Sequence, residues 1–150
     1  MKKILFICHG NICRSPMAEI IFNDIVRKNK KQKDYYVRSA ATSTEELGNP
    51  VYPPARKVLA QNGLSCEGKY SVRVTKEDYN NFDMLICMDR NNIRNLKYII
   101  GDDTENKVSL LMDYTNSPGD VADPWYSGNF DLTYNDIKEG CLKLFEYLNK

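Results

Sequence analysis

Eight consecutive residues, Cys8-His9-Gly10-Asn11-Ile12-Cys13-Arg14-Ser15, hold most of the chemistry this sequence can offer. A loop of this make-up that runs into a helix turns its backbone N–H groups inward and adds the positive end of the helix dipole, which together seat an oxyanion. Gly10 and Asn11 are the residue types that best tolerate the bent backbone such a cradle needs. Arg14 presents a planar fork to two phosphate oxygens. The same field favours thiolate over thiol at Cys8, and a thiolate beside a bound phosphate is a nucleophile in position. Ser15 can donate its hydroxyl to that sulfur, first in the free protein and again when the sulfur departs from phosphorus. The pattern predicts a phosphate-binding loop made by His9, Gly10, Asn11, Ile12, Cys13, Arg14 and Ser15, and covalent two-step chemistry on Cys8.

Such chemistry needs a proton donor for the leaving oxygen, and the same carboxylate can then take a proton from the attacking water. Asp123, in Asp123-Pro124-Trp125-Tyr126, is the candidate, because a proline stiffens its loop and two aromatic residues suit the walls of a ring pocket.

These residues need elements to place them. The octet follows Ile4-Leu5-Phe6-Ile7, a continuous apolar run of the kind buried on both faces of a parallel sheet. Beyond it Met17, Ala18, Ile21, Phe22 and Ile25 recur at helical spacing, with Ser15 as N-cap and Pro16 at the first helical position. The octet therefore lies past the carboxyl end of a strand, where open α/β sheets bind ligands. The basic stretch from Arg27 to Lys33 ends that helix and complements its dipole. Tyr35 to Ser39 predicts a second strand, Ala55 to Asn62 a helix closed by Gly63, and Thr75 with Asp78 the cap of a short helical turn. Met84 to Met88 reads as a third buried strand, Asp89 as the cap of a helix carrying Ile93, Leu96 and Ile100, and Val108 to Met112 as a fourth strand. An amphipathic helix from about Asp131 to Tyr147 turns Ile137, Cys141, Leu144 and Phe145 to one side. Strands alternating with helices define an α/β domain with a parallel sheet, and residues 1–150 read as one domain.

Composition narrows the partners. The 150 residues are 42% apolar and 27% charged, the balance of one soluble globular domain that can form a core without staples. A formal charge of +1 gives no global field for nucleic acid or an anionic membrane, so attraction to an anion must be local. Five cysteines without a CxxC pair, and His9 as the single histidine, argue against a zinc site or a fully paired disulfide framework. His9 is expected at the pocket mouth. Cys66, Cys87 and Cys141 are expected in core or surface roles. The apolar run Ile4–Cys8 is shorter than the roughly 7–15 residues of an export signal, and no later stretch approaches a membrane span. A reduced, cytoplasmic protein is expected.

The segment CHGNICRSPMAE closely resembles the signature of the low-molecular-weight protein tyrosine phosphatases, and the resemblance extends over essentially the full chain. Ser39-Ala40-Ala41 and Ile86-Cys87-Met88-Asp89 look like the family's segments at its second and third strands, and Asp123-Pro124-Trp125-Tyr126 matches its late Asp-Pro-aromatic-Tyr motif. The resemblance implies a three-layer α/β sandwich: a central four-stranded parallel sheet with helices on both faces and the phosphate-binding loop after the first strand. It implies hydrolysis of phosphotyrosine in proteins, and of aryl phosphates, through a phosphocysteine on Cys8, with Arg14 and loop amides binding phosphate and Asp123 as general acid and base. No metal or cofactor is implied. Tyrosine-phosphorylated proteins are the implied partners, with a cognate tyrosine kinase behind them, and a monomer is expected. Asn11, Ser15 and Ser39 resemble residues that support the loop by hydrogen bonds. In the family a cysteine placed like Cys13 can form a reversible disulfide with the nucleophile that protects it from over-oxidation. Tyrosines placed like Tyr126 are phosphorylated in some relatives, and the lysine-, asparagine- and tyrosine-rich composition points to a bacterial member.

One departure stands out. Animal members carry an aromatic residue in the loop after the second strand, where this chain has Glu45 followed by Glu46. An acidic side chain there repels a phosphate unless it meets a basic group of the substrate. Three alternatives share the fold. Arginine phosphatases resemble the loop closely but tend to carry threonine where this chain has Ile12. Arsenate reductases use two further cysteines close together, which Cys87 and Cys141 are not. A thiol redox sensor on Cys8 and Cys13 would have no need of Asp123.

Overall fold

A computed structural model describes all 150 residues. Four strands, β1 (Lys2–Cys8), β2 (Tyr35–Ala41), β3 (Met84–Cys87) and β4 (Val108–Leu110), form one parallel sheet in the order β2-β1-β3-β4. β1 is central, with Ile4 opposite both Val37 and Met84. Its side chains alternate between two cores. Ile4, Phe6 and Cys8 face α1 (Arg14–Lys28), α2 (Pro53–Gln61) and α6 (Phe130–Leu148), while Leu5 and Ile7 face α3 (Asp78–Asn81) and α4 (Arg90–Ile100). Burial on both faces is why this strand is apolar without alternation. The three-layer sandwich expected from the resemblance is the fold observed.

The first core is the larger, and aromatic contacts tie its layers. Phe22 of α1 meets Phe6, Tyr35 and Phe145 with ring centroids 5.9, 5.6 and 6.1 Å apart, pairs worth roughly 0.5–1.5 kcal/mol each beyond their burial. This packing clamps α1 against β1 and α6, and so fixes the helix whose N-terminus follows the octet.

Local details of α1, α2, α3 and β4 depart from the sequence reading. α1 begins at Arg14 with Cys13 at the N-cap position and no side-chain cap, because the Ser15 hydroxyl is engaged with the Cys8 sulfur instead. Thr75 is not a cap; its N–H donates to the Asp78 carboxylate at 2.8 Å, and α3 starts at Asp78. α2 starts at Pro53, two residues before Ala55, since prolines fit a first turn whose N–H groups have no partner anyway. β4 ends at Leu110, and Leu111–Tyr114 wind into a 3-10 turn that buries Leu111 and Met112. Asp89 does cap α4, in a reciprocal pairing with Asn92.

The 3-10 turn meets α6 at Gly140. A Cβ on Gly140 would lie 2.6 Å from Leu111 Cγ, a fully buried side chain with little room to move. Alanine gains about 0.8–1 kcal/mol of helix propensity over glycine, but overpacking costs about 1–3 kcal/mol. Gly140→Ala is therefore expected to lower stability by about 1 kcal/mol in urea unfolding, and a gain would show that Leu111 yields freely.

Candidate active site

β1 ends at Cys8, and the chain turns at once into the loop. The Cys8 and His9 carbonyls accept the Thr42 and Ser43 N–H groups at 3.0 and 3.1 Å, which ties the loop to the segment after β2. The turn is made at Asn11, which is buried with φ +58°. Its side chain is a hub: Nδ2 donates to Ser15 Oγ at 2.7 Å and to Ser39 Oγ at 3.0 Å, and Oδ1 accepts the Val72 N–H at 3.1 Å. Ser39 in turn donates to Glu19 at 2.6 Å, and Lys69 joins them, 3.2 Å from Glu19 and 3.1 Å from the Ser39 carbonyl. Ser71 donates to the Gly10 carbonyl at 2.8 Å. The loop is braced from behind.

Donors collect on the other side. The Cys8 sulfur accepts the Asn11 and Ser15 N–H groups at 3.3 and 3.4 Å and lies 3.0 Å from Ser15 Oγ. Because Asn11 already donates to Ser15 Oγ, the hydroxyl proton is free to point at the sulfur. Arg14 is 3% exposed; its Nη1 donates to Asp89 Oδ2 at 2.6 Å and to the Val121 carbonyl at 3.0 Å, and its Nη2 reaches Asp123 Oδ2 at 3.4 Å. Burial on its own would lower the Arg14 pKa, but Cys8, Asp89 and Asp123 outweigh it and push the pKa up, so the charge is permanent. Burial, reinforced by Cys8, pushes the Cys13 thiol up to about 12. Cys13 is thus held as a thiol near neutral pH.

Asp123 is set by a short helix that the sequence reading did not foresee, α5 (Pro124–Ser127). Its Oδ1 accepts the Trp125 N–H at 3.0 Å as the cap, which turns Oδ2 toward Arg14. The Trp125 ring rests on Tyr52, centroids 4.9 Å apart, and remains half-exposed, while Tyr126 is almost fully exposed. Neither is a core residue.

A cleft of about 170 Å³ joins these groups, lined by Cys8 through Arg14, Glu45, Glu46, Asp123, Trp125 and Tyr126. Glu45 stands at its rim, 3.1 Å from His9 Nε2. A larger groove of about 1210 Å³ runs along the β2 edge, but Cys8, Arg14 and Asp123 line the smaller cleft and not this groove. Every residue named from the sequence for the loop, the proton transfer and the pocket wall lines this cleft, except Ser15 and Ser39, which support it from behind. From the sequence Asp89 reads as a helix cap and as the end of the family-like segment Ile86–Asp89, without a role in the site. The available signal was its position just past β3, the neighbour of β1, where the switch-point rule puts a ligand site. Glu19, Lys69 and Ser71 carried no local signal.

Chemically, the cleft can hold a tetrahedral oxyanion against amide and guanidinium donors, with a sulfur beneath it and a carboxylate across from it. A sequence model of the low molecular weight phosphotyrosine protein phosphatase family matches residues 3–150, and the chain belongs to that family. Among relatives, the low molecular weight protein-tyrosine-phosphatase YfkJ of Bacillus subtilis is 36% identical over 152 aligned residues, covering 100% of this chain and 97% of its own. A low molecular weight phosphotyrosine protein phosphatase of Gallus gallus is 35% identical, covering 95% of this chain and 90% of its own. The crystal structure of YfkJ superposes with a TM-score of 0.95 over 99% of this chain and 95% of that one. That of DARP, drosophila arginine phosphatase, gives 0.89 at 29% identity over 100% of this chain and 99% of that one.

The Arg14–Asp89 pair yields a test. Asparagine caps a helix as well as aspartate does, so Asp89→Asn keeps α4 while removing the charge that fixes the guanidinium. Misplacement of a phosphate-binding group by about 1 Å can cost about a hundredfold. Asp89→Asn is expected to lower kcat/KM on an aryl phosphate by that order with a native circular dichroism spectrum. Wild-type kinetics would show that the pair does not position Arg14.

Proposed function

We propose that the protein hydrolyses phosphotyrosine in proteins through a phosphocysteine intermediate on Cys8. The observation that carries this reading is the convergence of two backbone N–H groups and the Ser15 hydroxyl on the Cys8 sulfur, with Arg14 anchored beside it. Family membership supports the reaction and the substrate class.

In this reading the phosphate dianion seats on the loop N–H groups and the Arg14 guanidinium. The Cys8 thiolate attacks in line, forming the S–P bond as the bond from phosphorus to the tyrosyl oxygen breaks. Asp123, protonated at this stage, gives its proton to that oxygen. Asp123 then takes a proton from water, whose oxygen bonds to phosphorus as the S–P bond breaks and the electron pair returns to sulfur. The Ser15 hydroxyl receives the charge returning there. Trp125 and Tyr126 flank the phenyl ring, and Ile12 adds an apolar wall.

The other cysteines support the assignment to Cys8. Cys13 stays protonated, which disfavours it for attack on phosphorus; a Cys8 sulfenic acid and the Cys13 thiol would give a disulfide and water, slowly at neutral pH. Cys87 and Cys141 are fully buried in opposite cores, their thiols pushed up by burial, which speaks against an arsenate-reducing relay. Five free thiols support a reducing cytoplasmic setting, where a tyrosine kinase would supply the substrates. A second reading, phosphoarginine hydrolysis, is favoured by the full-length likeness to DARP. It is tested by offering phosphoarginine and phosphotyrosine peptides side by side.

Phosphate release from a phosphotyrosine peptide should fall to background in Cys8→Ser. In Asp123→Ala it should fall about a hundredfold or more, since general acid catalysis is worth that much or more. Turnover retained by Cys8→Ser, or lost instead in Cys66→Ser, would overturn the mechanism.

A further inference from the structure

A phosphate ester arrives as a dianion, yet the mouth of this cleft is acidic. Arg14 is the buried cation that meets the phosphate, and Asp89 and Asp123 already flank it. Around the rim stand Glu45 and Glu46, with His9 the basic neighbour. The rim carboxylates are committed to different degrees. Glu46 accepts a hydrogen bond from Asn49 Nδ2 at 2.6 Å and lays its stem over Gly10. Asp123 is held by the Trp125 N–H and Arg14. Glu45 has His9 as its side-chain partner, with 71% of the Glu45 side chain and 47% of the His9 side chain exposed.

An exposed pair of this kind contributes little, so a cation brought by the substrate can displace His9 almost without cost. A carboxylate brought by the substrate meets like charge from Glu45 and Glu46, with His9 the one basic neighbour of Glu45, and such juxtaposition disfavours the wrong partner. The phosphate itself is recognised below the rim, by Arg14 and the loop. Charge at the rim therefore discriminates among the residues that flank the phosphorylated side chain.

We propose that Glu45 is a specificity-determining residue that accepts a lysine or arginine of the substrate protein next to the phosphotyrosine, so that basic-flanked sites are preferred and acidic-flanked sites rejected. This rests on the phosphotyrosine reading above.

The test compares phosphotyrosine peptides that differ only in arginine or glutamate at the positions flanking the phosphotyrosine. A flank-free aryl phosphate serves as reference, and wild type, Glu45→Gln and Glu45→Lys are assayed. Combined attraction and repulsion at one exposed carboxylate should give wild type about a tenfold higher kcat/KM on the arginine peptide. Glu45→Gln should reduce that ratio to about twofold, and Glu45→Lys should invert it. Added salt should narrow the wild-type ratio, because the pair is exposed. Equal kcat/KM for both peptides in wild type, or a preference that survives Glu45→Lys, would overturn the proposal while leaving the phosphotyrosine reading intact. Failure of wild type to hydrolyse any peptide or the aryl phosphate would overturn both.

Discussion

Asn11 sits in a left-handed conformation that costs a residue with a side chain on the order of 1 kcal/mol, and three hydrogen bonds from its own amide fix it there. Everything at the site depends on that buried amide. It bends the loop so that N–H groups face the Cys8 sulfur, it takes up one lone pair of Ser15 so that the hydroxyl turns to the sulfur, and it joins the loop to β2 through Ser39. Ser15 and Ser39 are buried, so loss of either hydroxyl leaves a polar atom of Asn11 without water to replace it. Such a network allows one arrangement.

The sheet supplies the frame for this constraint. β1 ends at Cys8, β2 at the support of the loop, and β3 just before Asp89, which both caps α4 and pairs with Arg14. The loop that carries Asp123 is fastened to the same edge, since the Val121 N–H donates to the Met88 carbonyl at 2.8 Å and the Val121 carbonyl accepts from Arg14. One guanidinium therefore registers the loop after β1 against the loop that carries Asp123. The floor of the cleft is buried and braced, while its rim is exposed.

Much of this was legible in the sequence because it is local. Cys8, Asn11, Arg14 and Ser15 fall within one turn of chain, and the apolar run before them with the helical spacing after them places the loop. Asp123 was legible through the residues that follow it. Ser15 was read as a helix cap because local pattern cannot register a thiol seven residues earlier that competes for its hydroxyl. The overlong fourth strand has a similar cause: Leu111 and Met112 are as buried in a 3-10 turn as they would be in a strand. Asp89 and Arg14 are 75 residues apart, and only the adjacency of β3 to β1 brings them together. Strand order is a property of packed helices and twisted strands, which periodicity does not encode.

The central claim is that the Cys8 sulfur takes the phosphoryl group. Rapid acid quench of Asp123→Ala turning over a nitrophenyl phosphate, whose leaving oxygen needs no proton so that loss of Asp123 slows only hydrolysis of the adduct, followed by peptide mass spectrometry, tests it most directly. The account predicts a phosphate adduct on the peptide containing Cys8, appearing within the first turnover and absent from Cys8→Ser. Phosphate release with no adduct on any cysteine, or an adduct on Cys13 instead, would contradict it.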